Sequence, residues 1–203
     1  MCGRYTLVAS NKSDLADLTF PVPDRYNIAP QSAVLVKTHA MGFRMMPWSF
    51  SPSWARVPLH LFNARVETLE EKPSFKGAAR CVFMADGWYE WQRSTTSKLP
   101  WYHHRDGQLL RFGGIYRANG GCAIVTMDAQ PAIAHIHHRQ PLLLTLDAAE
   151  AWLEGAPSGE CTGDTQVSCH RVSTAVNTVR YDEKSLTRPV GDDLGEPPQG
   201  HLF

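Results

Sequence analysis

Residues 80–92 read Arg80-Cys81-Val82-Phe83-Met84-Ala85-Asp86-Gly87-Trp88-Tyr89-Glu90-Trp91-Gln92, and the reading of this stretch decides the fold. Two runs rich in apolar and aromatic residues flank an Asp-Gly dipeptide, which favours tight turns. The pattern predicts strands over residues 80–84 and 88–92 around an Asp86-Gly87 turn. It recurs further on, where strands over 101–104 and 108–112 flank Asp106-Gly107, the stronger hairpin signal of the two. Working outward, strands are expected at 33–37, around 43–46 and at 122–126. Helical signals are short: residues 11–18 before the break at Pro21 and Pro23, a single turn over 131–136 opened by Pro131, and 148–154 with Asp147 as N-cap and Gly155 as terminator. Many short strands with few, short helices predict an α+β fold. Its expected architecture is a mostly antiparallel, barrel-like β core with short peripheral helices.

A chain of 203 residues, 43% hydrophobic and 20% charged, suits one ordinary globular core. A single domain is expected over residues 2–189. Over 190–203 the composition turns to Gly, Pro, Asp and Glu, and a flexible tail is expected there. The longest apolar runs are too short to cross a bilayer, and no basic segment followed by an apolar stretch opens the sequence. A cytoplasmic protein without membrane association is therefore expected, acting as a monomer. Formal net charge is zero, so any contact with nucleic acid must come from a local basic patch rather than a global field. Five cysteines without paired C-x-x-C spacing argue against a disulfide framework or a structural zinc site. Cys81 and Cys122, in apolar surroundings, read as inert core thiols. No cofactor is expected.

Cys2 differs because of its position. Methionine aminopeptidases clear Met1 when the second residue is small, and the product then carries an α-amine and a thiol on adjacent carbons. Such an amine has a pKa of about 7.7–8.0, so roughly a tenth is free base near neutrality, where a lysine offers less than about a thousandth. With an aldehyde the amine can form a Schiff base, and the thiol can then close on the imine carbon to give a thiazolidine. The second attack is intramolecular and gains the advantage of a tethered reactant.

Six segments, MCGRYTL, RYNIAP, NARVET, RCVFMADGWYEW, IVT and IHHRQPLLL, follow one another in this order. Together they resemble the SRAP family, the SOS response-associated peptidases, whose better understood activity is covalent capture of abasic sites in single-stranded DNA. The resemblance runs from Cys2 to about Pro189. It implies an SRAP fold, with the nucleophile at Cys2 and catalytic partners at Asn63, Glu90 and His137. It implies DNA contacts by Arg4 and Arg65, a DNA-binding surface lined by Pro30 and Trp54, and Thr126 in the matching strand near the site. The implied partner is single-stranded DNA containing abasic sites.

In this reading His137, with a pKa near 6.5, helps open the closed sugar and shares in proton transfers around the imine. Glu90 takes a proton from the Cys2 ammonium and returns one to the departing oxygen. Asn63 holds the N-terminus and a sugar oxygen by hydrogen bonds. Arg4 and Arg65 clamp flanking phosphates. Three positions depart from the family pattern: His138 stands where an aspartate is common, Ser49 replaces a glycine, and Gln140 replaces a Met or Arg.

Each residue also has a plainer reading. Asn63 can be a turn or cap residue, Glu90 a solvated strand side chain, and Arg4 and Arg65 surface ion-pair partners. His135, His137 and His138 could hold a metal, although no Cys or carboxylate pattern completes such a site. Trp88, Tyr89 and Trp91 read as packing residues. Trp54, in the loop SPSWARVP, reads as an exposed wedge beside an unstacked base. Two other functions compete: an N-terminal-cysteine peptidase or amidase, including one that removes its own Met1, and a non-covalent reader of modified bases or single strands. Lyase-like chemistry on the captured sugar is also compatible with the imine step.

Overall fold

A computed structural model describes residues 2–93, 98–161 and 166–191. In chain order its strands are β1 (Tyr5–Leu7), β2 (Arg25–Ile28), β3 (Ala33–Thr38), β4 (Gly42–Pro47), β5 (Asn63–Arg65), β6 (Ala79–Ala85) and β7 (Gly87–Arg93). They continue with β8 (Lys98–His104), β9 (Leu110–Arg117), β10 (Gly121–Asp128), β11 (Arg139–Pro141), β12 (Leu143–Leu144) and β13 (Ser168–Arg171). One sheet runs β13-β8-β7-β1-β2, and the other runs β11-β10-β9-β6-β3-β4 with β12 on β9 and β5 on β10. All these pairings are antiparallel except β5 with β10. The fold is α+β and mostly antiparallel, as expected. The β core consists of two open sheets, and neither closes into a barrel.

Both Asp-Gly dipeptides prove to be crossings between sheets rather than hairpins. β6 pairs with β3 and β9, whereas β7, one residue further on, pairs with β1 and β8. Asp86 fixes this corner: its carboxylate accepts from Val8 N–H at 2.5 Å and pairs with Lys12 Nζ at 2.6 Å. At the second corner Asp106 and Gly107 do have the positive φ of a primed turn, 29° and 78°. Even so, β8 and β9 leave that turn for different sheets. The two sheets meet through aromatic side chains. Tyr5 on β1 packs edge-on against Phe83 of β6 and Phe112 of β9, and Trp88 on β7 packs edge-on against Phe112.

The helical expectations are partly revised. The segment 11–18 forms two 3-10 turns, Ala9–Asn11 and Ser13–Leu15, rather than one α-helix. Helix α1 spans Leu146–Glu154, and its N-cap is Thr145, whose side chain accepts from Ala148 N–H; Asp147 lies in its first turn. Gly155 closes it in the left-handed conformation, as predicted. Residues 192–203, most of the expected tail, lie outside the described residues. Among the described residues no helix is long and apolar enough to cross a membrane.

Candidate active site

The site opens where a strand runs out. β1 begins at Tyr5, opposite Trp88, and the backbone bond beyond that pair is from Tyr89 N–H to Arg4 O at 2.9 Å. Past this point β7 keeps its ladder with β8, while its pairing with β1 has ended. A cleft of about 400 Å³ lies beside this part of β7. Because the sheet is notched here, side chains from both faces of the strand reach one space: Glu90, Trp91 and Arg93 all line it, with Arg4, Lys98, His137 and Asn177.

The second sheet supplies the opposite wall. Parallel pairing with β10 sets Asn63 beside Ile124 and Arg65 beside Thr126. Asn63 Nδ2 donates to the Cys2 carbonyl at 2.8 Å, so β5 holds the start of the chain. Its Oδ1 is buried and accepts no hydrogen bond from the described residues. Cys2 is fully buried, and burial, with the Glu90 charge adding to it, pushes its thiol well above the ordinary range.

Glu90 is 3% exposed, and burial raises its carboxyl from 4.5 to about 7, with the positive charge of the chain's N-terminus pulling the other way. A buried acid at that value can both give and take a proton near neutrality. His137 moves in the opposite direction. Burial lowers its imidazole to about 4, and the N-terminal positive charge and neighbouring His138 act in the same sense. Arg139 N–H approaches Nδ1 at 3.0 Å, and Arg139 O lies 3.1 Å from the same atom. Burial thus favours the neutral form of both Glu90 and His137. His138, in place of the family's aspartate, stacks on His137 with ring centroids 4.5 Å apart.

Arg139 ties the second wall together. Its guanidinium donates to both Glu67 oxygens at 2.7 and 2.9 Å, to Asp128 Oδ1 at 2.6 Å and to Thr126 O at 2.7 Å. Glu67 follows β5 directly, so this knot fixes Asn63 relative to the turn carrying His137. Gln140 is also buried and accepts from Gln130 N–H at 2.8 Å, which makes it part of that turn's framework.

Of the residues expected to meet DNA, only Arg4 lines this cleft. Its Nη1 donates to Asn27 Oδ1 at 2.7 Å and to Val176 O at 2.8 Å, so part of its fork is already held by protein. Arg65 is exposed at the end of β5, Trp54 is 59% exposed in its loop, and Pro30 is half-buried; all three lie outside the cleft lining. Thr126 must be corrected. It is fully buried with its hydroxyl donating to Ala64 O at 3.3 Å, so it positions β5 rather than facing a ligand. Trp88 and Tyr89 are buried packing residues, whereas Trp91 lines the cleft and donates from Nε1 to Asn177 Oδ1 at 2.7 Å. Among the described residues no group of three or more His, Cys, Asp or Glu gathers as for a metal ion.

Fold and site together define a class: a two-sheet α+β protein with an acid, an amide and an imidazole near a cysteine at position 2. The SRAP family, described as SOS response associated peptidase, matches residues 1–179, and the chain belongs to it. It is 32% identical to the abasic site processing protein YedK of Escherichia coli (strain K12), over 94% of this chain and 100% of that protein. It is 30% identical to the abasic site processing protein YoaM of Bacillus subtilis (strain 168), over 75% of this chain and 79% of that one. With the abasic site processing protein HMCES of Gallus gallus it shares 31% identity, over 76% of this chain and 59% of that protein. A crystal structure of a Bacteroides thetaiotaomicron protein superposes with a TM-score of 0.75 at 19% identity, covering 93% of this chain and 100% of that one. A phage-related protein of Bordetella bronchiseptica gives 0.67 at 26% identity, covering 84% and 94%.

Proposed function

We propose that this chain processes abasic sites in single-stranded DNA by joining Cys2, freed of Met1, to the sugar aldehyde as a thiazolidine, which shields the lesion from strand cleavage. One observation carries the reading: Asn63 grips the Cys2 carbonyl, and buried Glu90, raised to about 7, is near enough for its charge to act on the Cys2 thiol. Relatives named abasic site processing proteins support the choice of substrate.

The steps balance as follows. Glu90 takes a proton from the Cys2 ammonium, and the free amine attacks the aldehyde carbon. The resulting carbinolamine hydroxyl receives a proton from Glu90 and leaves as one water, giving the imine. The thiol then adds to the imine carbon, and its proton passes to the nitrogen. His137 and Asn63 hydrogen-bond the sugar oxygens, and Arg4 and Arg65 meet flanking phosphates, with Trp54 and Pro30 beside the displaced base. A thiol held well above the ordinary range suits this order, amine first and sulfur second. A cysteine peptidase or amidase that attacks as thiolate would need the opposite shift.

The test mixes purified protein with single-stranded DNA bearing one abasic site, followed by a denaturing gel. The expected result is a heat-stable shifted band, absent for Cys2→Ala, with Cys2→Ser giving only an adduct trapped by borohydride. An equal shift with lesion-free DNA, or a band that survives Cys2→Ala, would overturn the reading.

A further inference from the structure

Arg93 and Lys98 are directly opposed cross-strand partners on β7 and β8. Both are exposed, and both line the cleft that holds Glu90 and His137. Like charges facing each other across a ladder destabilise a hairpin. Here the described residues offer no compensating carboxylate, since neither cation takes part in an ion pair with any of them. The Arg93 charge also reaches into the site, where it contributes to holding His137 neutral.

We propose that Arg93 and Lys98 form a two-cation clamp for a single phosphodiester of the strand, next to the lesion. This rests on the single-stranded DNA reading above and adds to it a contact that fixes where the strand enters. The fork of Arg93 grips two phosphate oxygens while the Lys98 ammonium supplies a point charge. The anion removes the repulsion that the hairpin otherwise carries. Arg4, partly occupied by Asn27 and Val176 O, then acts deeper in the cleft.

The experiment measures reversible binding to single strands carrying a tetrahydrofuran abasic analogue, which has no aldehyde and so isolates binding from covalent capture. In a series of oligonucleotides, one phosphate at a time is replaced by a neutral methylphosphonate. Wild-type protein is expected to lose roughly 5–10-fold in affinity at one position within about two nucleotides of the lesion, the scale of one charge-assisted contact. The variant carrying both Arg93→Gln and Lys98→Gln should be weaker with the native strand and indifferent to replacement at that position. Its salt slope should fall by roughly 0.7, the counterion release of one single-strand phosphate. Its melting temperature should equal or exceed that of wild type. Full retention of the wild-type position dependence in the double variant, or no position dependence in wild type, would overturn the clamp. Failure of the capture reading is seen separately, as absence of covalent product when wild-type protein meets DNA with a true abasic aldehyde.

Discussion

Two buried ionisable groups, Arg139 of the second sheet and Glu90 of the first, follow opposite logic. Arg139 is 5% exposed and paired at both terminal nitrogens: two carboxylates and a backbone carbonyl meet its guanidinium, and Glu67 is held below its ordinary value, first of all by that hydrogen bonding. Glu90 is 3% exposed, and burial outweighs the N-terminal charge and the Trp91 backbone hydrogen bond that pull the other way, so its carboxyl rises to about 7. A buried charge whose partners outweigh its desolvation locks a framework, whereas a buried acid whose desolvation wins stays ready to change its protonation state.

The largest break in that contrast is expected from Glu90→Gln, which keeps the shape and removes the proton. Crosslinking in single-turnover assays should slow by about 100-fold, the scale of one general acid/base, while binding to an abasic analogue stays nearly unchanged. The wild-type rate profile should bend near pH 7, where Glu90 titrates, and this bend should vanish in the variant. Equal loss of binding and rate would make Glu90 a framework residue like Arg139.

Stability should move in opposite directions on the two walls. Glu90 is raised from 4.5 to about 7, so wild-type stability is greatest below about 4.5 and declines as pH rises toward 7. Denaturant melts should show Glu90→Gln relieving that decline, by up to about 3 kcal/mol above pH 7. Arg139→Met should instead cost about 2 kcal/mol at neutral pH, because it strips Thr126 O of its donor and Glu67 and Asp128 of their cation. Glu67 is lowered, so its contribution is present above its unfolded value and fades as pH falls through the folded one. That acid-side loss should disappear in Arg139→Met.

The smallest effect is expected at His137. Lowered to about 4, it is neutral across physiological pH, so no feature near 6.5 should appear in the rate profile. His137→Gln, which keeps a hydrogen-bond donor, should cost about 10-fold in rate or less, and His137→Ala more. A profile bending near 6.5 that flattens in His137→Gln would return the proton-shuttling role to the histidine.

Much of this was legible in the sequence. Strands β3, β4 and β10 follow from apolar alternation, and the four residues expected around the chemistry, Cys2, Asn63, Glu90 and His137, meet at one end of the β core. The Asp-Gly corners were legible as turns but not as crossings, because a dipeptide dictates local φ and ψ and says nothing of which strand lies alongside. The glycines even serve different ends. Gly107 needs its positive φ, whereas a Cβ on Gly87 would sit 2.3 Å from His103 O. Thr145 displaced Asp147 as the cap because both are capping types two residues apart, and the packing of α1 on the sheet decides its start. Trp91, Arg93, Lys98 and Asn177 were missed as cleft residues for a topological reason. Strict alternation puts Glu90 and Trp91 on opposite faces, and only the early end of β1 opens both to one space.

The central claim is that the α-amine and thiol of Cys2 together form the link to the sugar. Tandem mass spectrometry of the nuclease-digested, protease-digested adduct tests it most directly. The account predicts a peptide that begins at Cys2 and carries the abasic deoxyribose with loss of one water, attached through both nitrogen and sulfur. A peptide still headed by Met1, or a sugar attached to a lysine or to Cys169, would contradict it.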